Sequence, residues 1–289
     1  MPAPEGPAAY EVTASGPGAE GGGWAMVVGF PVDTALCDGH FPGHAIVPGV
    51  AQLALVERAL GEWRGKAAGL GGIPSLRLRQ PVLPGDELDV WVKEGDREAV
   101  AFEVRRGGVV VANGAVRAAK DDDVRDAPLL LRSQPPPPRR EGRGDSAFPP
   151  VEELVPHRGA MLLVRAVIAC DPASLTARAA VSPVNPLVVS GLAPSWLALE
   201  AAAQAAALHE ALARIAEPGS PSEPRIGYLV SVRDAELGAP FATGAPLLVA
   251  VRGAGGAGGL ATYEVEVTLE TDGRPVARGR LATYTLQRA

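Results

Sequence analysis

Gly39-His40-Phe41-Pro42-Gly43, running into Val47-Pro48-Gly49-Val50 and an apolar helix, is the stretch on which the reading of this chain turns. Two glycines and a proline bend the backbone tightly around one histidine and deliver it to a helix start. Unpaired N–H groups there, with the helix macrodipole behind them, can hold a developing oxyanion. An imidazole with an ordinary pKa of about 6.5 is suited to proton abstraction near neutrality. A base and an oxyanion site thus stand side by side.

Outward from this turn, alternating segments near 10–14 and 24–30 precede it, and the helix predicted from about Pro48 to Trp63 follows. Strand-like runs come next at 75–79, 88–92, 100–104 and 109–116. The second half repeats the order, with strands at 161–169 and 174–181, a helix from about Pro194 to Ala216, and strands at 226–235, 246–251, 262–269 and 275–284. Two strands, one long helix and four strands, twice over, predict an α+β fold in which two antiparallel sheets each wrap a central helix. The glycine clusters 21–23 and 253–259 lack the Lys-Ser/Thr ending of a phosphate loop and read as turns.

Between the halves, Asp121-Asp122-Asp123, Pro135 to Pro138 and Arg139-Arg140-Glu141-Gly142-Arg143-Gly144 cannot build a core. The expected organisation is a first domain over 1–119, a linker over 120–147 and a second domain over 148–289. Within the linker, Leu129-Leu130-Leu131 reads as an anchor on a domain surface.

Across 289 residues, 27 basic and 33 acidic side chains give a formal charge of -6, with no basic block to track a phosphate backbone, so nucleic acid is not an expected partner. Two cysteines, Cys37 and Cys170, lie far apart, which indicates neither a disulfide framework nor a Cys-rich metal site and fits a reducing, cytoplasmic setting. Neither a secretion signal nor a run of about 18 apolar residues is present, so no transmembrane segment is expected.

At these residues the chain resembles the hotdog-fold 3-hydroxyacyl-acyl-carrier-protein dehydratases of the FabA/FabZ type. Gly39 to Gly43 with Pro48-Gly49-Val50 matches that family's histidine loop and helix start, and Gln80-Pro81-Val82-Leu83-Pro84-Gly85-Asp86-Glu87-Leu88 matches the strand and turn that follow. In the second half, Leu154-Val155-Pro156-His157-Arg158-Gly159 with Met161-Leu162-Leu163-Val164 resembles the family's opening segment, and Glu200-Ala201-Ala202-Ala203-Gln204 its catalytic-acid helix. The pairing is similar to the two dehydratase-related proteins of aryl-polyene pathways, here joined in one chain.

The resemblance implies an acid fourteen positions after the histidine, and that position holds Ala54. In the second half Glu200 follows Pro194 at the family spacing, but Ser190-Gly191-Leu192-Ala193 has no room for a His-Phe-Pro-Gly turn. Because family members pair the histidine of one subunit with the acid of the other, the complementary losses imply one composite site across an internal pseudo-dimer: His40 as base, Glu200 as acid, and a dead mirror-related pocket. Phe41 belongs to the histidine loop. Gly49 and Val50 are the expected oxyanion donors, with Ser195 and Trp196 as the alternative, and Gln204 is expected to support Glu200. Apolar neighbours should keep Glu200 protonated.

Other candidates read more plainly. His44 is expected to face solvent or fix its loop, His157 to shape the turn before the second domain, His209 to be exposed and Cys37 to be a small buried residue. Glu57, one helical turn past Ala54, is a reserve acid in cis. Neither metal nor bound cofactor is expected, the acyl group arriving on the phosphopantetheine of an acyl carrier protein. Docking of that acidic carrier would draw on Arg64, Lys66, Arg77, Arg79, Arg139, Arg140 and Arg143. The implied activity is dehydration to a trans-2-enoyl thioester, alongside other acyl-chain enzymes; the alternatives are a hotdog thioesterase and a non-catalytic acyl-carrier-binding scaffold.

Overall fold

A computed structural model describes residues 9–18, 22–66, 68–119, 148–217 and 223–286. The linker expected over 120–147, with its leucine trio and arginines, lies outside the described residues, as does Gly21. The first half runs β1 (Glu11–Pro17), β2 (Trp24–Gly29), α1 (Ala51–Arg64), β3 (Leu70–Leu78), β4 (Glu87–Glu94), β5 (Val100–Arg106) and β6 (Val109–Ala118). The second opens on a short helix, α2 (Val151–Leu154), then β7 (Val164–Cys170), β8 (Ser174–Ala179), the two-residue β9 (Leu192–Ala193) and α3 (Ala198–Ile215). It closes with β10 (Gly227–Leu237), the two-residue β11 (Phe241–Ala242), β12 (Leu247–Ala257), β13 (Leu260–Leu269) and β14 (Pro275–Thr285).

The two expected sheets, one from each half, join edge to edge, beside a small two-stranded sheet of β9 and β11. Twelve strands join in the order β1-β2-β4-β5-β6-β3-β10-β14-β13-β12-β8-β7, in which the second half mirrors the first about the β3–β10 pair. β3 and β10 pair antiparallel, with Leu76 opposite Val232 and Ile73 opposite Ala235. Each of these strands would otherwise leave a row of unpaired backbone groups at an edge, and pairing them satisfies both rows. The result is a double hotdog architecture, a pseudo-dimer within one chain.

Alternation along the strands buries one sheet face against the helices. Val28, Leu88, Val90, Val92 and Val104 close around Leu53, Val56 and Leu60 of α1, while Leu175, Ala177, Val249 and Val267 close around α3. α3 is rich in alanine, so strands can approach it closely; Ala201, Ala202, Ala205 and Ala206 are all fully buried. α1 ends at Gly65, whose left-handed φ of 64° suits a residue without a Cβ. The glycine run 253–259, read from sequence as a turn, is mostly strand: β12 continues through it to Ala257 with a bulge between Gly253 and Gly255. The reversal falls at Gly258 and Gly259, both with positive φ.

Candidate active site

The histidine loop is held from both halves of the chain. The Arg158 N–H donates to the Gly39 carbonyl at 2.9 Å, and Gly39 has a φ of 88°. A Cβ there would lie 2.1 Å from the Arg158 carbonyl oxygen, so only glycine permits the crossing. Next to it, a cis peptide joins His40 to Phe41, and Phe41 stacks on the His40 ring with centroids 4.1 Å apart. His40 Nδ1 lies 2.8 Å from the Ile46 carbonyl, to which it donates, so Nε2 is left bare as the basic nitrogen. Burial keeps this imidazole neutral by pulling its pKa down to about 4, against the opposing pull of Glu200.

Glu200 sits in the first turn of α3 and is 4% exposed. His157 Nε2 lies 3.3 Å from its Oε1, and Gln204 Nε2 donates to the same oxygen at 3.1 Å. Gln204 is itself fixed: its Oε1 accepts the Leu163 N–H at 2.9 Å, and its Nε2 also donates to the Met161 carbonyl at 2.8 Å. Gln204 therefore supports Glu200, as its position one turn later suggested. The expectation of a protonated Glu200 is corrected. Burial works to raise its pKa, but the bond from His157, the neighbouring imidazoles and the Gln204 amide outweigh it and hold the carboxylate ionised, below its ordinary range.

His157 does more than shape a turn. Its ring lies 5.3 Å from that of His40 and 4.8 Å, edge-on, from that of Phe41, and it is 5% exposed. Arg158 steadies the segment by donating to the carbonyls of Val155 and His157 at 2.8 and 2.7 Å. His40, His157 and Glu200 bring one nitrogen or oxygen each within 4.8 Å of one another, a set that a transition metal could use. Metal-bound imidazoles, however, anchor their second nitrogen on an acceptor; His40 does so through Ile46, whereas His157 Nδ1 is buried without a partner among the described residues. An acid–base cluster fits these residues better.

His40, Phe41, His157 and Glu200 border one groove of about 360 Å³ between the halves. Along α3 its floor is Ala203 and Ala207, and its far wall is the Gly227–Val230 end of β10 with Leu78 and Arg79. Of the two candidate helix starts, that of α1 borders the groove through Gly49, with Val50 buried behind it. Val50 caps α1 without a side-chain bond, and neither the Gly49 nor the Val50 N–H meets a backbone acceptor among the described residues. Ser195 and Trp196 are buried away from the groove, so the alternative helix start is not the one that faces it.

At the mirror-related helix, α1, the nearest carboxylate is tied to both halves. Trp196 Nε1 donates to Glu57 Oε2 at 3.1 Å, and the Leu70 N–H donates to Glu57 Oε1 at 3.1 Å. Glu57 is thus a structural contact between halves rather than an acid in cis, and burial pushes its pKa up to about 6 against those two bonds. His209 is buried rather than exposed, its ring nitrogens meeting the Tyr263 hydroxyl at 3.1 Å and the Asp171 carbonyl at 3.0 Å. His44 is exposed, 3.4 Å from the Tyr228 hydroxyl across the groove mouth. Cys37 is half-buried, and burial pushes its thiol up to about 11, away from nucleophile chemistry. Of the basic residues expected at a docking face, Arg79 borders the groove, and Arg225 joins it there.

The chain is similar to known proteins in both halves. The family model of the ApeI dehydratase matches residues 19–115, and that of the ApeP dehydratase matches residues 149–289. A 3-hydroxyacyl-[acyl-carrier-protein] dehydratase FabZ of Thermus thermophilus is 40% identical over 100 residues, 32% of this chain and 63% of that relative's length. FabZ of Haemophilus influenzae strain PittEE is 35% identical over 106 residues, 33% of this chain and 69% of the relative. Among solved structures, the dehydratase domain of RzxB from Pseudomonas fluorescens superposes with a TM-score of 0.67 at 15% identity, covering 94% of this chain and 97% of that one. The dehydratase domain of PpsC from Mycobacterium tuberculosis gives 0.62 at 17%, covering 95% and 98%. The chain belongs to the hotdog-fold 3-hydroxyacyl-acyl-carrier-protein dehydratases, with an ApeI-like first half and an ApeP-like second half in one polypeptide.

Proposed function

We propose that this chain removes water from 3-hydroxyacyl thioesters carried on an acyl carrier protein, giving trans-2-enoyl thioesters, at one composite site per chain. The observation that carries the proposal is the meeting of His40, from the first half, with Glu200, from the second, on the wall of one groove. With C2 of the acyl group against the bare Nε2 of His40, the C2–H bond breaks to that nitrogen. Its electron pair moves onto the thioester oxygen beside Gly49 and then returns to expel the hydroxyl from C3. Both donors to Glu200 converge on Oε1, leaving Oε2 for that hydroxyl.

Glu200 must carry a proton to release the hydroxyl as water, yet its resting state is ionised. The site therefore takes up a proton as substrate enters. After each turnover the C2 proton on His40 returns to Glu200, across a cluster whose atoms lie within 4.8 Å. This chemistry asks for no metal or cofactor beyond the phosphopantetheine arm of the carrier. Arg79 and Arg225 at the groove suit the acidic surface of such a carrier.

The test is enoyl formation from a short 3-hydroxyacyl thioester by the wild type, His40→Ala and Glu200→Gln. Each variant should lose at least about a hundredfold in kcat. Full activity in Glu200→Gln would overturn the composite site. Hydrolysis without enoyl product would point to a thioesterase, and carrier binding without turnover to a scaffold.

A further inference from the structure

Gln52 is 2% exposed, borders the groove with His40 and Gly49, and has a buried Oε1 with no hydrogen-bond partner among the described residues. A buried amide oxygen left unpaired forfeits its hydration with nothing in return, and native structures keep few such groups. Gln52 is the second residue of α1, three residues after Gly49, so both lie on one side of the helix start beside its unused N–H groups. A leucine would fill the same space without an unpaired atom. In the second half the corresponding position, four residues past Pro194, holds the buried Ala198, so only the groove-facing helix carries an amide here.

We propose that the Gln52 side chain is a second oxyanion donor, its terminal N–H bonding the thioester oxygen together with the Gly49 N–H. Rotation about the last side-chain bond exchanges the two ends of the amide in place, so an N–H can be turned to the groove without disturbing the packing. When His40 takes the C2 proton, the electron pair of the broken C–H bond comes to rest on the thioester oxygen. The amide stabilises that charge by hydrogen bonding, and no bond to Gln52 forms or breaks. The ligand class is an acyl thioester, and the inference rests on the dehydratase reading above.

The experiment compares wild type, Gln52→Leu and Gln52→Glu on a 3-hydroxyacyl pantetheine thioester, with thermal melting run beside the kinetics. A second readout follows exchange of the C2 hydrogens of the saturated acyl pantetheine thioester in deuterated water, which needs the base and the oxyanion site but not the acid. Gln52→Leu should lose roughly a hundredfold in kcat and in exchange, the usual effect of removing one such donor, with a melting temperature unchanged or raised. Gln52→Glu, which places an acceptor at the developing charge, should lose more. A Gln52→Leu protein with kcat and exchange within twofold of wild type would overturn the proposal, as would losses no greater than the fraction of protein unfolded. Failure of the dehydratase reading is separate: there the wild type itself makes no enoyl product.

Discussion

His157 Nε2 lies 3.3 Å from Glu200 Oε1, while Nδ1 of the same ring is buried with no partner among the described residues. That polarity means the imidazole serves Glu200 alone, as an N–H donor that both orients and ionises the carboxylate. Replacing His157 with leucine removes a bond that favours the charged form, so the Glu200 pKa rises and the acid stays protonated to higher pH. We expect kcat to fall about tenfold through lost orientation while the alkaline limb of its pH profile moves upward. His157→Gln, which can still offer an N–H, should recover part of the rate. A rate loss with an unmoved profile would reduce His157 to packing.

His40 leads to a pH prediction of the opposite kind. Its pKa in the folded protein is about 4, below the ordinary 6.5, so the unfolded chain binds more protons between those values. The stability contributed by neutral His40 is therefore complete above pH 6.5 and is lost as pH falls toward 4. Glu57, raised to about 6, acts in the other direction, since its stabilisation is complete below its ordinary pKa and fades as pH rises through 6. Comparing wild type with His40→Asn by urea denaturation from pH 4 to 7 cancels the Glu57 contribution and should leave a flatter curve in the variant. In kinetics, neutral His40 should not limit kcat/KM until about pH 4, and the proton that Glu200 must gain should make kcat/KM rise as pH falls from 7 toward 5.

Proton uptake on ligand binding should be measurable at pH 7. Glu200 is ionised in the free site, and the proposed role as acid requires it protonated. Calorimetry of a substrate analogue in buffers of different ionisation enthalpy should report uptake of about one proton, and Glu200→Gln should abolish it. No uptake in the wild type would mean that Glu200 acts as a carboxylate throughout.

Two glycines of the histidine loop should respond differently to alanine. Gly39 and Gly43 both have positive φ, at 88° and 80°, but a Cβ on Gly43 meets nothing within 4 Å whereas one on Gly39 runs into the Arg158 carbonyl. Gly43→Ala should cost about 1 kcal/mol from its backbone conformation alone. Gly39→Ala should cost at least about 3 kcal/mol and reduce activity, because the loop and the His157 segment must separate. Denaturant melts of the two variants provide the check.

Trp196→Phe should separate the mirror position from the working one. It strips one donor from the half-buried Glu57 and should destabilise the protein by about 1 kcal/mol. Because Trp196 does not border the groove, kcat should not change.

Much of this was legible in sequence because it rests on local spacing. The helix start after Pro48 and the order of elements along each half are patterns of period, whereas Glu200 is singled out only by the resemblance to the dehydratase spacing. The helices begin a few residues later than predicted, at Ala51 and Ala198, because the prolines sit in the turns ahead of them. His157 was legible only as part of a turn: its partners lie 43 and 117 residues away, and nothing in Pro-His-Arg says which way the ring points. Gln52 was hidden for the same reason, as a polar residue in an apolar helix gives no sign of whether its amide is satisfied. The ionised state of Glu200 depends on donors from His157 and Gln204, while the apolar composition of its own helix suggested the reverse. His209 looked like a surface residue because Tyr263 and Asp171, which bury and bond it, come from distant strands.

The seam between β3 and β10 has a consequence for how the groove can change. In a dimer of identical subunits, any substitution in a wall is made twice, and both sites must accept it. Here Leu78 and Arg79 on one side and Leu229 and Val230 on the other are separately encoded, and near the mirror position Trp196 is tied to Glu57 instead. Each wall can drift without a copy of the change appearing elsewhere, so a substrate with two unlike sides can be fitted by two unlike surfaces.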